Sequence, residues 1–367
     1  MKIGRIRGIE LRLHFSWLFI FVLLAAALAL DYFPSSYPNW PSEIYWLAGI
    51  LTSLLIFACV LAHELAHSFA SVRQSIPVSG ITLFLFGGMA KISREPRSPS
   101  GEFKIAIAGP LCSFGIAALF ALLSRLSLCI PLKAMFRYLC WMNLLLAAFN
   151  LLPGFPLDGG RILRSLVWWR TGNYLKATYV AHLGGRIIAF VLMGGGAILM
   201  FATRSLDGLW LVLIGWLLHA LAVGSYRQIR LREALAGLSA SRILNPNPPS
   251  ISPWATAERA LEDLGLAPPP CALVVDEGRV KGVLVLERIR KMPSHLRSLT
   301  LVGRIMVPLE KVGRASPEAP LLSLLEEMEE SGVPVTLITN PEGEVVGIVT
   351  KEEILRAARF RADLFMR

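Results

Sequence analysis

Charge is what this sequence has least of. Only 17% of its 367 residues are Asp, Glu, Lys or Arg, against 54% hydrophobic, and its mean hydropathy is +0.56. So few charges cannot solvate so much apolar surface. That excludes an ordinary soluble globular protein and argues for several membrane spans. Acidic residues are scarcest in the first two thirds: residues 1–240 hold 21 Lys and Arg against 9 Asp and Glu, whereas residues 241–367 hold 16 against 17. The net charge of +11 therefore belongs to the apolar part, where it reads as membrane topology and not as nucleic-acid binding. Cysteine is also sparse. Cys59, Cys112, Cys129, Cys140 and Cys271 show no paired spacing, which argues against a disulfide framework. No Ala-x-Ala-like cleavage signal follows the first apolar run, so that run is expected to be a retained helix.

What is present is a series of six apolar runs, over about 15–30, 46–72, 103–123, 136–152, 181–202 and 209–224. The main basic clusters follow every second run: Arg73, Lys91, Arg94 and Arg97, then Arg161, Arg164, Arg170 and Lys176, then Arg227, Arg230 and Arg232. By the positive-inside tendency this predicts a six-span protein of the cell membrane with both termini cytoplasmic. Arg125, Lys133, Arg137 and Arg204 dissent mildly, since they fall on the external side. Residues 74–90 are punctuated by Pro77, Gly80, Gly87 and Gly88 between β-branched and aromatic residues. They read as extended pieces or a re-entrant hairpin, with a cytoplasmic loop as the alternative. An extended edge there would suit β-strand addition by an unwound peptide.

The second run carries His63-Glu64-Leu65-Ala66-His67 near its far end. On a helix the two histidines are one turn apart on one face, where neutral imidazoles can share a zinc ion and Glu64 can act as the base. Such groups in an apolar span are expensive unless paired or ligated. A second polar island, Asn150-Leu151-Leu152-Pro153-Gly154-Phe155-Pro156-Leu157-Asp158-Gly159-Gly160-Arg161, breaks a later span. Asp158 there is a plausible third ligand, or else a turn-forming residue at the membrane surface. Asn150 is placed to hydrogen-bond a scissile carbonyl or oxyanion, with helix–helix contact as the alternative for it and for Asn143. Ala108-Gly109-Pro110 suggests a close contact or kink near the site, and Gly194-Gly195-Gly196 close helix packing.

These motifs, with Phe86-Gly87-Gly88-Met89-Ala90, resemble in order and spacing the site-2 proteases, zinc metalloproteases that cut within the membrane. The resemblance covers about residues 1–225. It implies that His63, His67 and Asp158 ligate one zinc ion, that Glu64 is general base and later proton donor, and that Asn150 lies beside the substrate carbonyl. It also implies single-span membrane proteins or remnant signal peptides as substrates.

After a linker over 226–240 come two segments of similar length, 241–299 and 300–367. They open with Arg242-Ile243-Leu244-Asn245-Pro246 and Arg304-Ile305-Met306-Val307-Pro308. The second segment reads as an amphipathic helix over 319–331, strands over 333–339 and 344–349, and a helix over 351–359; the first repeats this more faintly. Two such α/β units should pack together and hide their sheet faces. They resemble a tandem pair of CBS domains. That resemblance implies an adenine-nucleotide site, for which Thr350 and Glu353 are a partial match and Val285 and Arg288 a poor one; dimerisation or docking is the alternative. The expectation is thus a polytopic α-helical membrane zinc protease with a re-entrant β-like segment and a C-terminal α/β module. The competing reading is a CBS-regulated transporter or metal-handling protein, and Glu64 discriminates, because a transport ligand set needs no acid there.

Overall fold

The computed structural model describes residues 2–84, 87–92, 96, 98–206, 208–265 and 269–364. They form two compact units, Met1–Tyr226 and Arg227–Arg367. In chain order the first holds β1 (Lys2–Ile6), β2 (Ile9–Leu13), α1 (Ser16–Ala27), a π-turn over Leu28–Tyr32, α2 (Phe33–Ser36) and α3 (Ser42–Arg73). Then come β3 (Val78–Phe84), β4 (Gly87–Ile92), α4 (Pro99–Leu126), α5 (Ile130–Asn150), α6 (Asp158–Thr171), α7 (Tyr174–Thr203) and α8 (Leu209–Leu235). Among the described residues six helices are long and apolar enough to cross a membrane: Ser16–Ser36, Ser42–Arg73, Pro99–Leu126, Ile130–Asn150, Tyr174–Thr203 and Leu209–Leu235. Large apolar side chains such as Phe19, Trp141, Phe201 and Trp210 point outward from them, which suits a lipid-facing surface.

The basic N-terminus, which lies before the first apolar run, is a β-hairpin. Arg7 and Gly8 take positive φ at its two-residue turn. Glu10 accepts hydrogen bonds from Lys2, Arg5 and Arg12, and these three cations hold its carboxyl well below the usual carboxylate range. β1 to β4 form one sheet in that order, with β2 and β3 parallel and the other pairs antiparallel. Most of residues 74–90 thus fall in two antiparallel strands, in keeping with the extended-piece reading; Leu85, and Phe86 of the expected motif, lie outside the described residues. Ile9, Leu11, Val78 and Ile81 pack on Leu61, Leu65 and Phe69 of α3. Those three recur every four residues. At 100° per residue they lie roughly opposite His63 and His67, so the sheet backs the metal-motif helix from behind.

Helix α6 was not expected. Its cues are ordinary: Pro156 just before it, an acid in its first turn and Gly172 at its C-terminus with φ +66°. It is too polar to read as a span. Of the Gly194–Gly196 run, only Gly196 packs closely, against Gly208 and Val212 of the next segment; added β-carbons at Gly194 and Gly195 would meet nothing within 4 Å.

The second unit continues with β5 (Ser250–Ile251), α9 (Ala257–Asp263), β6 (Cys271–Asp276), β7 (Arg279–Val285), α10 (Leu286–Arg290), α11 (Ser294–Arg297), α12 (Val302–Ile305) and β8 (Val307–Pro308). It closes with β9 (Gly313–Ala315), α13 (Leu321–Ser331), β10 (Val335–Thr339), β11 (Val345–Thr350) and α14 (Lys351–Leu364). One sheet runs β5-β6-β7-β8, the other β11-β10-β9. Their inner faces share a core that includes Leu273, Val283, Val335 and Leu337. Each opening motif joins the other repeat: Val307 pairs with Val283 of β7, and Asn245 bridges Ile348 of β11. Residues 226–240, read from the sequence as a linker, are helical as far as Leu235. Ala234, Leu235 and Ala240 are buried with Leu324, Ile338 and Ile354.

Candidate metal centre

The site begins with the geometry of α3. Its face opposite the sheet carries His63 and His67, 4% and 5% exposed. That face meets α4, which presents three consecutive turns to it. Ile105 lends its backbone carbonyl, which His67 Nδ1 reaches at 2.7 Å. Gly109 lends space: a β-carbon there would lie 2.6 Å from His63 Nε2 and would also strike His67 Nε2. Ser113 lends its hydroxyl, 2.9 Å from His63 Nδ1. Pro110 sits inside the helix and withholds one backbone N–H from this turn. Both rings are thereby held by their Nδ1 atoms, and their Nε2 atoms turn toward each other, 3.2 Å apart.

Asp158 completes the cluster. Its Oδ2 lies 3.1 Å from each Nε2. It opens α6, where the helix dipole favours a carboxylate. The broken segment before it is clamped on α7: Phe155 donates its N–H to the Ala181 carbonyl at 3.1 Å. Gly154 lies flat on that helix, where a β-carbon would stand 2.6 Å from the Gly184 carbonyl carbon. Arg164, one face round from Asp158, fastens α6 to α4. Its Nε donates to Glu102 Oε1 at 2.7 Å, and its Nη2 bonds the same oxygen. Both residues are buried, and the Arg164 guanidinium lies over the Phe155 and Tyr174 rings at 5.0 and 4.8 Å. The sequence suggested only a topological charge at Arg164.

The donor set fits a metal ion. A carbonyl accepts only, so His67 Nδ1 must be its protonated nitrogen, which leaves a lone pair at Nε2. Asp158 presents carboxylate lone pairs to the same point. Even one proton on His63 Nε2 would satisfy a single pairing and leave others lone pair against lone pair. His63, His67 and Asp158 are the group among the described residues whose ligand atoms lie within 4.8 Å of one another. Nitrogen and oxygen donors of this kind suit zinc, and their outward hydrogen bonds are the usual support of such ligands.

Glu64 is half-buried and stands outside the three-donor group. Asn150 ends α5, and its Nδ2 donates back to the Leu146 carbonyl at 3.0 Å. Asn143 does the same toward Leu139 at 2.8 Å, so both amides bond within their own helix. Thr350 and Glu353 bond each other. Glu353 Oε2 accepts from the Thr350 N–H and hydroxyl, each at 2.8 Å, and Thr350 Oγ1 accepts from the Glu353 N–H at 3.3 Å. This is a capping box on α14. Val285 and Arg288 occupy the matching junction of the first repeat, and Arg288 donates to the Ile305 carbonyl. Sequence reasoning missed Ser113, the Ile105 carbonyl and the Glu102–Arg164 pair. The one cue was periodicity, since 105, 109 and 113 share the face that Gly109 had marked.

A helical membrane protein with two histidines and an aspartate converging between α3 and α6 is a membrane metalloprotein with the His-Glu-x-x-His arrangement of a metallopeptidase. Comparison with known proteins places it more closely. Residues 51–130 and 125–194 match the model of peptidase family M50, and residues 302–359 match that of the CBS domain. A putative zinc metalloprotease, Rip3, of Mycobacterium tuberculosis is 34% identical over 97% of this chain and 92% of its own length. The putative zinc metalloprotease sll0528 of Synechocystis is 31% identical over 99% of this chain and 96% of its own. The solved site-2 protease of Methanocaldococcus jannaschii is 29% identical, covering 61% of this chain and 94% of that one, with a TM-score of 0.44. The chain belongs to peptidase family M50, the site-2 proteases, and carries a CBS domain as an accessory module.

Proposed function

We infer that the chain is an intramembrane zinc endopeptidase in which His63, His67 and Asp158 hold one zinc ion. The observation that carries this is the convergence of three lone-pair donors, 3.1 to 3.2 Å apart, at one buried point. Bound there, zinc supplies Lewis acidity toward water and toward a peptide carbonyl. Glu64, next to the first ligand, takes the proton of the attacking water and hands it to the leaving amine. Asn150 uses one amide hydrogen on Leu146; its second is free in chemistry to donate to the substrate carbonyl.

The substrates are single-span membrane proteins or remnant signal peptides, cut in or near their spans. A helical peptide bond must be opened before water can attack it, and its freed amides then need partners. Strand β4 closes one edge of the sheet, and that edge suits pairing with an unwound segment. The six long helices are read as spans of the cell membrane with both termini cytoplasmic, in line with the basic clusters. The CBS pair is read as a contact or docking module, with homodimerisation as its simplest use. Nucleotide recognition by Thr350 and Glu353 would require opening their capping box.

The test is purified protein with a single-span substrate in lipid. Glu64→Gln should keep its zinc and lose about 10²- to 10⁴-fold in cleavage rate. Cleavage at the parental rate would refute the mechanism, and zinc binding unaffected by Asp158→Ala would refute the ligand set.

A further inference from the structure

Arg125, Lys133, Arg137 and Arg204 run against the charge pattern of the apolar runs, and two of them share a structural reason. Arg125 in the last turn of α4 and Arg137 in the second turn of α5 line one cavity of about 640 Å³ within the first unit. Tyr32 and Tyr37, from the segment after α1, form its other wall, and Trp141 of α5, 65% exposed, adds an apolar rim. The wall is braced. The Tyr32 ring packs on Tyr138 with centres 4.6 Å apart, and the Tyr37 carbonyl accepts from the Tyr45 hydroxyl at 2.8 Å. None of the lining residues is acidic, and neither arginine has an ion pair or hydrogen bond among the described residues. Solitary cations near a helix end reach outward to water one by one. Two that share a cavity repel each other, and an anion between them removes that cost. On α4, Arg125 lies 16 residues beyond Gly109 at the metal centre, or about 24 Å at helical rise. The cavity is therefore at the far end of the spans, where lipid phosphates sit. Guanidinium forks bind a phosphate bidentately, phenol hydroxyls donate to its remaining oxygens, and an indole rests against the glycerol and first methylenes.

We propose that the Arg125–Arg137 cavity holds the phosphate headgroup of an anionic phospholipid, in the leaflet at the turn between α4 and α5. The site rests on α4 and α5 being spans, as read above, and on nothing at the metal centre. Bulk charge attraction would predict that Lys133 and Arg204, the other two cations that break the pattern, contribute as much. Both are exposed and neither lines the cavity. The cavity predicts that Arg125 and Arg137 dominate.

Native mass spectrometry of the full chain, with phosphatidylglycerol or phosphatidylcholine added to the detergent micelle, tests this. Phosphatidylglycerol should bind in preference, and Arg125→Gln/Arg137→Gln should weaken it by roughly fivefold per arginine removed. Arg125→Gln alone, at an exposed position, guards against a folding defect in the double variant. Lys133→Gln/Arg204→Gln should leave binding unchanged. Zinc content and cleavage in detergent should stay at parental values in every variant, so failure here is separable from failure of the protease assignment. Equal retention of the two lipids, undiminished phosphatidylglycerol binding by the cavity variants, or equal loss with the control pair would overturn the proposal. Competition by inorganic phosphate at the same apparent affinity would overturn it too, by assigning the cavity to a soluble anion.

Discussion

Gly109 on α4 faces His63 on α3 so closely that a β-carbon would stand 2.6 Å from the imidazole Nε2. The tightness of that approach is what lets the Ile105 carbonyl and the Ser113 hydroxyl, one turn to either side, reach the two Nδ1 atoms. One helix face therefore sets the orientation of both rings.

Gly109→Ala should displace the rings and weaken zinc binding by at least tenfold, with the protein still inserted and helical. Ser113→Ala should do so more mildly, within the roughly 10- to 100-fold span typical of ligand-supporting hydrogen bonds. Metal stoichiometry after dialysis against graded zinc buffers reads both. Parental affinity in Gly109→Ala would mean that α4 stands farther from the histidines than the structure has it.

The Glu102–Arg164 pair should behave as a buried ion pair does. Removing one partner takes a direct counter-charge from the other and should cost about 3–5 kcal/mol, whereas replacing both with apolar residues of similar volume should recover much of it. Thermal unfolding in detergent of Glu102→Gln, Arg164→Met and Glu102→Leu/Arg164→Met checks the pattern. Equal losses in the double variant and the singles would show that the contact matters through packing alone.

Cys271, the first residue of β6, is buried in the core of the second unit, and burial pushes its thiol up to about 12. The unfolded thiol ionises near its ordinary value of 9.0. Between these values the unfolded state gives up its proton first, so this group's contribution to stability is complete below about pH 9 and declines as pH rises. Maleimide labelling of the native chain at pH 8, read by peptide mass, should spare Cys271 and mark exposed Cys129; denaturant should expose both. Native labelling of Cys271 at the rate of Cys129 would contradict its placement.

How much of this was visible beforehand follows from the physics of each part. His63, His67 and Asp158 were legible because charge inside an apolar run is costly and demands a reason. The long helices were legible from composition, since lipid sets a length. The N-terminal hairpin was not: Lys2, Arg5 and Arg7 advertise charge, while the alternation of Ile9 and Leu11 is only two residues deep and gains meaning from a parallel partner seventy residues on, in β3. Helix α6 hid behind its prolines and glycines, which mark a broken segment without saying that it restarts at Asp158. Ser113 is one serine in an apolar helix, and only its partner distinguishes it. Thr350 and Glu353 illustrate the reverse. The spacing that suggested a nucleotide is also that of a capping box, and local hydrogen bonding claims it.

The crossed pairing of segments 241–299 and 300–367 has a consequence for how the second unit holds together. Because Val307 finishes the sheet of the copy before it and Asn245 reaches the sheet of the copy after it, neither half is a detachable bead. A chain cut near residue 300 would strip strand β8 from the first sheet and the Asn245 bridge from the second. A load on either sheet is therefore passed to the other half of the unit through backbone hydrogen bonds.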